Sequence, residues 1–327
     1  MMRLPPFRYH APRDAAEAVR ILQNEGPAAM VVAGGTDLFP NMKRRHQTPG
    51  ALVALRRVED LRGTTWHDDG TLRLGPAATL RSLERDGALR ERLPALHAAI
   101  ESISTPILRN MGTIGGNVCL DTRCNYYNQN EEWRRAIHNC LKCGGDTCWT
   151  APGGDICWAV NSSDTVPVLM TMGARFRLLG PGGVRDVDAG DFFDVTDGRE
   201  WLRKKPDELL TDILVPPQDG SRSVYLKLRR RGAFDFPVLG VAARIEGNGE
   251  VRRAHLVLNA VGPAPVRCIE AEQALAGGPL TDAAIARAVE LAPTGAKPLD
   301  NTDHMPSWRK RMVKVFVRRA LEALRPV

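Results

Sequence analysis

Apolar residues recur at three- and four-residue spacing through residues 11–24, where Ala15, Ala18, Val19 and Leu22 share one face behind Pro12 and Asp14. That pattern predicts an amphipathic helix. The apolar run Ala28–Ala33 is too short for a helix and stops at Gly34-Gly35, so it predicts a buried strand. Leu72–Leu74 reads as a strand, followed by helical segments over Arg81–Leu89 and Leu93–Ser102, the second ending near Pro106. Alternation over Arg175–Leu178 and Asp212–Val215 predicts strands. Pro216-Pro217 then breaks the pattern and sets the expected boundary between units 1–216 and 217–327. In the second unit, Val238–Ile245 and Val251–Asn259 flank Asn248-Gly249, a strong hairpin signal. Helices follow at about 268–276 and 281–291, and Trp308–Leu324 carries Met312, Val315, Phe316 and Ala320 at helical spacing, a face suited to packing on the core.

With 327 residues, 43% hydrophobic and 25% charged, the chain is long enough for two or three domains. No run of about 18 apolar residues occurs, and the opening residues lack the apolar stretch of a signal peptide. A cytoplasmic protein without membrane association is the expectation. The formal charge of +7 is spread over short runs such as Lys43-Arg44-Arg45 and Arg229-Arg230-Arg231. Scattered runs suit solvated faces or an acidic protein partner, and nucleic acid is not expected.

Two glycine turns draw attention. Ala33-Gly34-Gly35-Thr36-Asp37-Leu38 follows a predicted buried strand, and Thr113-Ile114-Gly115-Gly116-Asn117 repeats the motif with a hydroxyl and an amide beside it. Without side chains in the way, backbone N–H groups at such turns can approach a phosphate, and two turns could clamp a diphosphate from both sides. Neither a G-x-G-x-x-G after a strand nor a G-K-[ST] is present, so this would be a different cradle from the Rossmann or P-loop type.

Six of the seven cysteines (Cys119, Cys124, Cys140, Cys143, Cys148 and Cys157) lie in one short segment, with Cys268 apart. Dense thiols in a reducing compartment point to metal. Zinc favours two C-x-x-C knuckles, and only Cys140-x-x-Cys143 is present, so an iron–sulfur cluster fits better. Tyr126, Tyr127, Trp149 and Trp158 adjoin the cysteines and would limit water around such a site, and Glu131–Asn139 predicts a short intervening helix.

Val31-Val32-Ala33-Gly34-Gly35-Thr36-Asp37-Leu38, together with Arg109-Asn110-Met111-Gly112-Thr113-Ile114-Gly115-Gly116-Asn117, resembles the FAD-binding subunits of the molybdenum hydroxylase, or xanthine oxidase, family. The resemblance runs over nearly the whole chain. It implies an α+β protein whose FAD-binding domain of two α/β subdomains precedes a small α+β domain, the latter similar over Leu256–Pro265. It also implies that Asp164, in Asn161–Pro167, contacts the flavin ring system and that Lys227, in Tyr225-Leu226-Lys227, lies near the isoalloxazine. The segment Cys124–Arg134 resembles the flavin subunits of the 4-hydroxybenzoyl-CoA reductase branch, in which an insert, here 119–158, carries one 4Fe-4S cluster. That branch implies the ligands Cys124, Cys140, Cys148 and Cys157, with Cys143 close enough to compete and Cys119 spare. The insert would be a lid fixed by its cluster.

The branch further implies partners: a molybdopterin-binding large subunit and a 2Fe-2S small subunit, in a dimer of heterotrimers. Electrons would run from ferredoxin through 4Fe-4S and FAD toward the 2Fe-2S centres and molybdenum, removing the phenolic hydroxyl of 4-hydroxybenzoyl-CoA. This chain would carry no bond-breaking residues of its own. Two other readings remain at this point: a flavin subunit of a related hydroxylase working oxidatively, and a zinc-bearing binding module.

Overall fold

The computed structural model describes residues 3–325, so residues 1, 2, 326 and 327, the outer ends of the two expected units, lie outside the described residues. Three sheets organise the chain. The first joins β1 (Arg8–His10), β2 (Ala29–Val32) and β3 (Ala51–Ala54) in parallel, in the order β1-β3-β2. The expected first helix spans Ala15–Glu25 and buries Ala18, Val19 and Leu22. Asp14 caps it, its carboxylate accepting the Glu17 N–H at 2.7 Å. All four residues of β3 are buried, as a central parallel strand requires.

The second sheet is antiparallel, with β4 (Thr64–Trp66), β5 (Leu72–Leu74), β6 (Arg175–Gly180), β7 (Gly183–Asp188) and β8 (Leu209–Val215) in the order β4-β5-β8-β6-β7. Helices Leu80–Glu84, Gly87–Arg92 and Pro94–Ser102 replace the two expected over 81–102. Asp86 caps the middle one and Pro94 opens the last, and these local signals divide the segment. Phe176, Phe192 and Phe193 meet edge to face at the centre of this core.

The predicted hairpin forms the middle of the third sheet, β9 (Ser221–Leu228), β10 (Leu239–Glu246), β11 (Arg253–Asn259) and β12 (Val266–Arg267), antiparallel in the order β12-β11-β10-β9. Helices Ile269–Leu275, Asp282–Leu291 and Pro306–Ala323 cover it. The apolar face of the last helix, including Val313, Val317, Ala320 and Leu321, is buried. Tyr225 and Ala242 of this sheet join the core of the second, so the two regions share apolar packing. Among the described residues no helix is long and apolar enough to cross a membrane.

An ion pair positions the approach to the second glycine turn. Arg109, at the end of the short helix Pro106–Arg109, donates two bonds of 2.9 Å to Glu84, which also takes Arg81 at 2.9 Å. The Arg109 fork, helped by Arg81, outweighs burial and holds the Glu84 carboxyl down at about 2, below its ordinary 4.5. Between those values the unfolded chain binds the proton and the folded chain does not. The contribution is therefore complete above about pH 4.5 and is lost as pH falls toward 2. Denaturant midpoints measured across that window are expected to fall more steeply for the unmodified chain than for Glu84→Gln. Parallel profiles would show that the pair contributes nothing there.

Candidate functional site

The chain leaves the end of β2 through Ala33-Gly34-Gly35 and enters the short helix Leu38–Lys43. Gly35 adopts φ +69°, and a Cβ at Gly34 would lie 2.0 Å from the Met111 carbonyl oxygen and 3.0 Å from the Gly112 Cα. Only glycine admits that approach, so the two glycine turns lie against each other. Among the described residues, the N–H groups of Gly35, Thr36, Asp37 and Leu38 meet no backbone acceptor, which leaves a row of donors at a helix start. These donors suit a phosphate.

The second turn differs from the expected bare bend. Residues Ile114–Val118 form a short helix capped by Thr113, and each amide at its start already has a protein acceptor. The N–H of Ile114 bonds Ala78 O at 3.1 Å, that of Gly115 bonds Pro76 O at 2.8 Å, and those of Gly116 and Asn117 bond Thr113. Gly115 is glycine because a Cβ there would meet Pro76 at 2.5 Å. The second turn is thus a short capped helix packed against the first, and not a second row of free amides.

Asn117 faces inward. Its Oδ1 accepts from the Ser163 and Thr165 hydroxyls at 2.8 and 2.7 Å and from the Thr165 N–H at 3.2 Å, which locks the turn to residues 161–165. Asp164 and Lys227, expected at the flavin ring, pair with each other at 2.9 Å, both side chains 4% exposed. Tyr225 donates its hydroxyl to Asp164 Oδ1 at 2.6 Å, and Lys227 also donates to Ser102 O at 3.1 Å. Burial pushes the Asp164 carboxyl up and the Lys227 ammonium down, each against the pull of the other. Tyr225 and Lys227 share one face of β9, two residues apart, which is why a single carboxylate reaches both.

Asp37 is likewise engaged within the protein. Its carboxylate pairs with Arg123 and accepts the Asn41 amide at 3.0 Å. Arg123 immediately precedes Cys124, stacks over Phe236 at 4.5 Å, and pairs with Val160 through backbone bonds of 2.8 and 2.7 Å that close the neck of the cysteine insert.

Within the insert, Cys124, Cys140, Cys148 and Cys157 are 5–8% exposed and line one small cavity with Tyr126, Tyr127 and Trp149. Trp158, expected among these aromatics, stands elsewhere, beneath Lys297. Cys119 packs on the core of the second sheet and stays apart from the cavity. Cys143 sits behind Cys140: contact between their sulfurs, together with the Lys142 and Cys143 amides, pulls the Cys140 thiol down to about 6 against burial and pushes Cys143 up. Burial pushes the Cys124 thiol up, and carries Cys157 up to about 12 despite the Ala159 amide and the Lys142 charge.

Among the described residues, no three His, Cys, Asp or Glu side chains stand close enough to hold a single metal ion. A tetrahedral zinc site would gather its sulfurs to about 3.8 Å from one another, given a Zn–S bond of about 2.3 Å. Four thiols around a shared space suit a larger inorganic group. The insert is also more firmly tied than a lid. Its helix Glu131–Ala136 is anchored by Arg134, buried and bonded to the carbonyls of Arg44, Arg45 and Gln129, and Asn125 and Trp158 bond Asn301.

Arg123 and Tyr225 stand among these residues although no sequence motif marks them as site residues, and Lys142 lines the cavity. Adjacency to Cys124 was the one available signal for Arg123, and placement within the Cys140–Cys143 knuckle the signal for Lys142.

Comparison with known proteins identifies the family. Residues 5–218 match the FAD binding domain in molybdopterin dehydrogenase, and residues 223–324 match the CO dehydrogenase flavoprotein C-terminal domain. The chain is 32% identical to the carbon monoxide dehydrogenase medium chain of Afipia carboxidovorans, over 97% of this chain and 96% of that one. It is 28% identical to the xanthine dehydrogenase FAD-binding subunit of Escherichia coli, over 83% and 80%. Reconstituted CO dehydrogenase from Oligotropha carboxidovorans superposes with a TM-score of 0.81 at 29% identity, covering 99% of both chains. The chain belongs to the FAD-binding medium subunits of the molybdenum hydroxylase family of oxidoreductases.

Proposed function

We propose that this medium subunit carries a 4Fe-4S cluster on Cys124, Cys140, Cys148 and Cys157 in addition to FAD, and serves an enzyme of the 4-hydroxybenzoyl-CoA reductase type. The observation that carries this reading is the gathering of those four buried thiols, from separate loops, around one aromatic-walled cavity. Cys143 then acts as a neighbour of the Cys140 sulfur, and Cys119 has no part in the site.

The flavin diphosphate would rest on Val31–Leu38, taking the free N–H groups of Gly35, Thr36, Asp37 and Leu38, with Thr113–Asn117 as the opposing wall. FAD bound there exchanges one or two electrons, and a cluster exchanges one, so together they connect a one-electron donor to a two-electron reaction. Asp164, Lys227 and Tyr225 hold the joint between the flavin unit, 1–216, and the C-terminal unit, 217–327. Asp37 and Arg123 connect the diphosphate turn to the neck of the insert. Aromatic rings at the cavity limit water, which keeps a cluster stable and its potential defined.

In this role the chain would pass electrons from ferredoxin toward a 2Fe-2S small subunit and a molybdopterin-binding large subunit, within a dimer of heterotrimers in the cytoplasm. A second reading draws on the relatives, which include a carbon monoxide dehydrogenase and a xanthine dehydrogenase: the same subunit in an enzyme working oxidatively on another substrate. Turnover of 4-hydroxybenzoyl-CoA with a reduced viologen separates the two.

The ligand assignment is tested by iron and acid-labile sulfide content, with reduced-state EPR, on Cys→Ser variants of the anaerobically purified complex. Loss of the cluster signal is expected for positions 124, 140, 148 and 157, and retention for 119 and 143. A cluster retained in Cys157→Ser but lost in Cys143→Ser would reassign the ligands.

A further inference from the structure

Behind the cysteine cavity lies an ion pair that the flavin site does not use. Lys142, between Cys140 and Cys143, lines the cavity, and its Nζ stands 2.9 Å from Asp121 Oδ1, with side chains 5% and 4% exposed. The ammonium also donates to Gly198 O at 2.6 Å and faces the Trp201 ring at 4.7 Å and the Tyr127 ring at 5.2 Å. On the far side, Asp121 accepts the Tyr127 hydroxyl at 3.0 Å, the Gln47 amide at 3.1 Å and the Thr122 N–H at 2.8 Å. Asp121 itself is not part of the cavity wall.

Burying two charges is costly, and an apolar pair of similar volume is often at least as stable, so stability alone does not account for this one. Its placement does suggest a role: the Lys142 side chain lines the thiol cavity and its charge acts on the Cys157 and Cys143 sulfurs, whereas Asp121 stands outside the wall. We propose that Lys142 and Asp121 are positioning residues that set the reduction potential of the cluster held by Cys124, Cys140, Cys148 and Cys157. This rests on the cluster reading above.

One-electron reduction of a cluster held there, with the electron supplied by the one-electron donor and passed on to flavin, would add one negative charge to the iron–sulfur core and would require no proton. A nearby fixed cation in a low-dielectric wall favours that added charge, and the more distant carboxylate opposes it less. Removing each charge should therefore move the potential in opposite directions. A residue pair that served packing alone would have no reason to do so.

The test is an EPR-monitored redox titration of the cluster in the anaerobically purified complex, for the unmodified protein, Lys142→Gln, Lys142→Arg and Asp121→Asn. The midpoint is expected to become more negative in Lys142→Gln, more positive in Asp121→Asn, and to stay near the original in Lys142→Arg. If Lys142→Gln fails to assemble, the near-isosteric Asp121→Asn carries the test through its positive shift. Unchanged midpoints, or shifts of the same sign in both charge-removing variants, overturn the tuning role while leaving the cluster in place. An unmodified complex without iron and sulfide overturns the cluster reading and the tuning role together.

Discussion

The close approach of Gly34 to the Met111 carbonyl is the contact on which the site depends. With no Cβ at Gly34, the turn after β2 lies directly on the turn before Thr113, and the free amides of residues 35–38 open beside a rigid wall. Any side chain at position 34 would have to separate the two. The wall is stiff because its own amides are already bonded to Pro76, Ala78 and Thr113, and because Arg109 is forked onto Glu84 just before it. The chain then runs almost at once from Asn117 into the cysteine insert. The insert thus starts at the second glycine turn, and the Arg123–Asp37 pair ties its neck back to the first turn.

Two buried ion pairs frame this arrangement. Asp164 and Lys227 bridge the flavin unit to the third sheet, while Lys142 and Asp121 stand behind the cysteines. Each pair satisfies its remaining donors or acceptors with hydroxyls, amides or carbonyls, as the desolvation cost of a buried charge demands. The difference lies in what each faces. The first is enclosed between two packed regions, and the second has the Lys142 side chain on a cavity wall lined by thiols.

Local features were the legible ones. The first helix with its Asp14 cap, the strand stopped by Gly34-Gly35, the Asn248-Gly249 hairpin and the last helix all follow from spacing and turn chemistry within a few residues. Strand β7 escaped because it is exposed along most of its length and so carries no alternation of burial, and the short β3 lacks a polar face altogether. The helical start at Ile114 was hidden by two glycines, poor helix formers that are present here for close packing. The partners of Asp164 and Arg123 lie 63 and 86 residues away, and no local pattern reports pairs so distant. Hence the Asp164–Lys227 pair is visible only in the fold.

Native mass spectrometry of the complex, purified and sprayed without oxygen, tests the dual-cofactor subunit most directly. The expected result is a medium chain whose mass exceeds that of the polypeptide by one FAD and one 4Fe-4S cluster. A medium chain carrying FAD alone, or FAD with zinc, would contradict it.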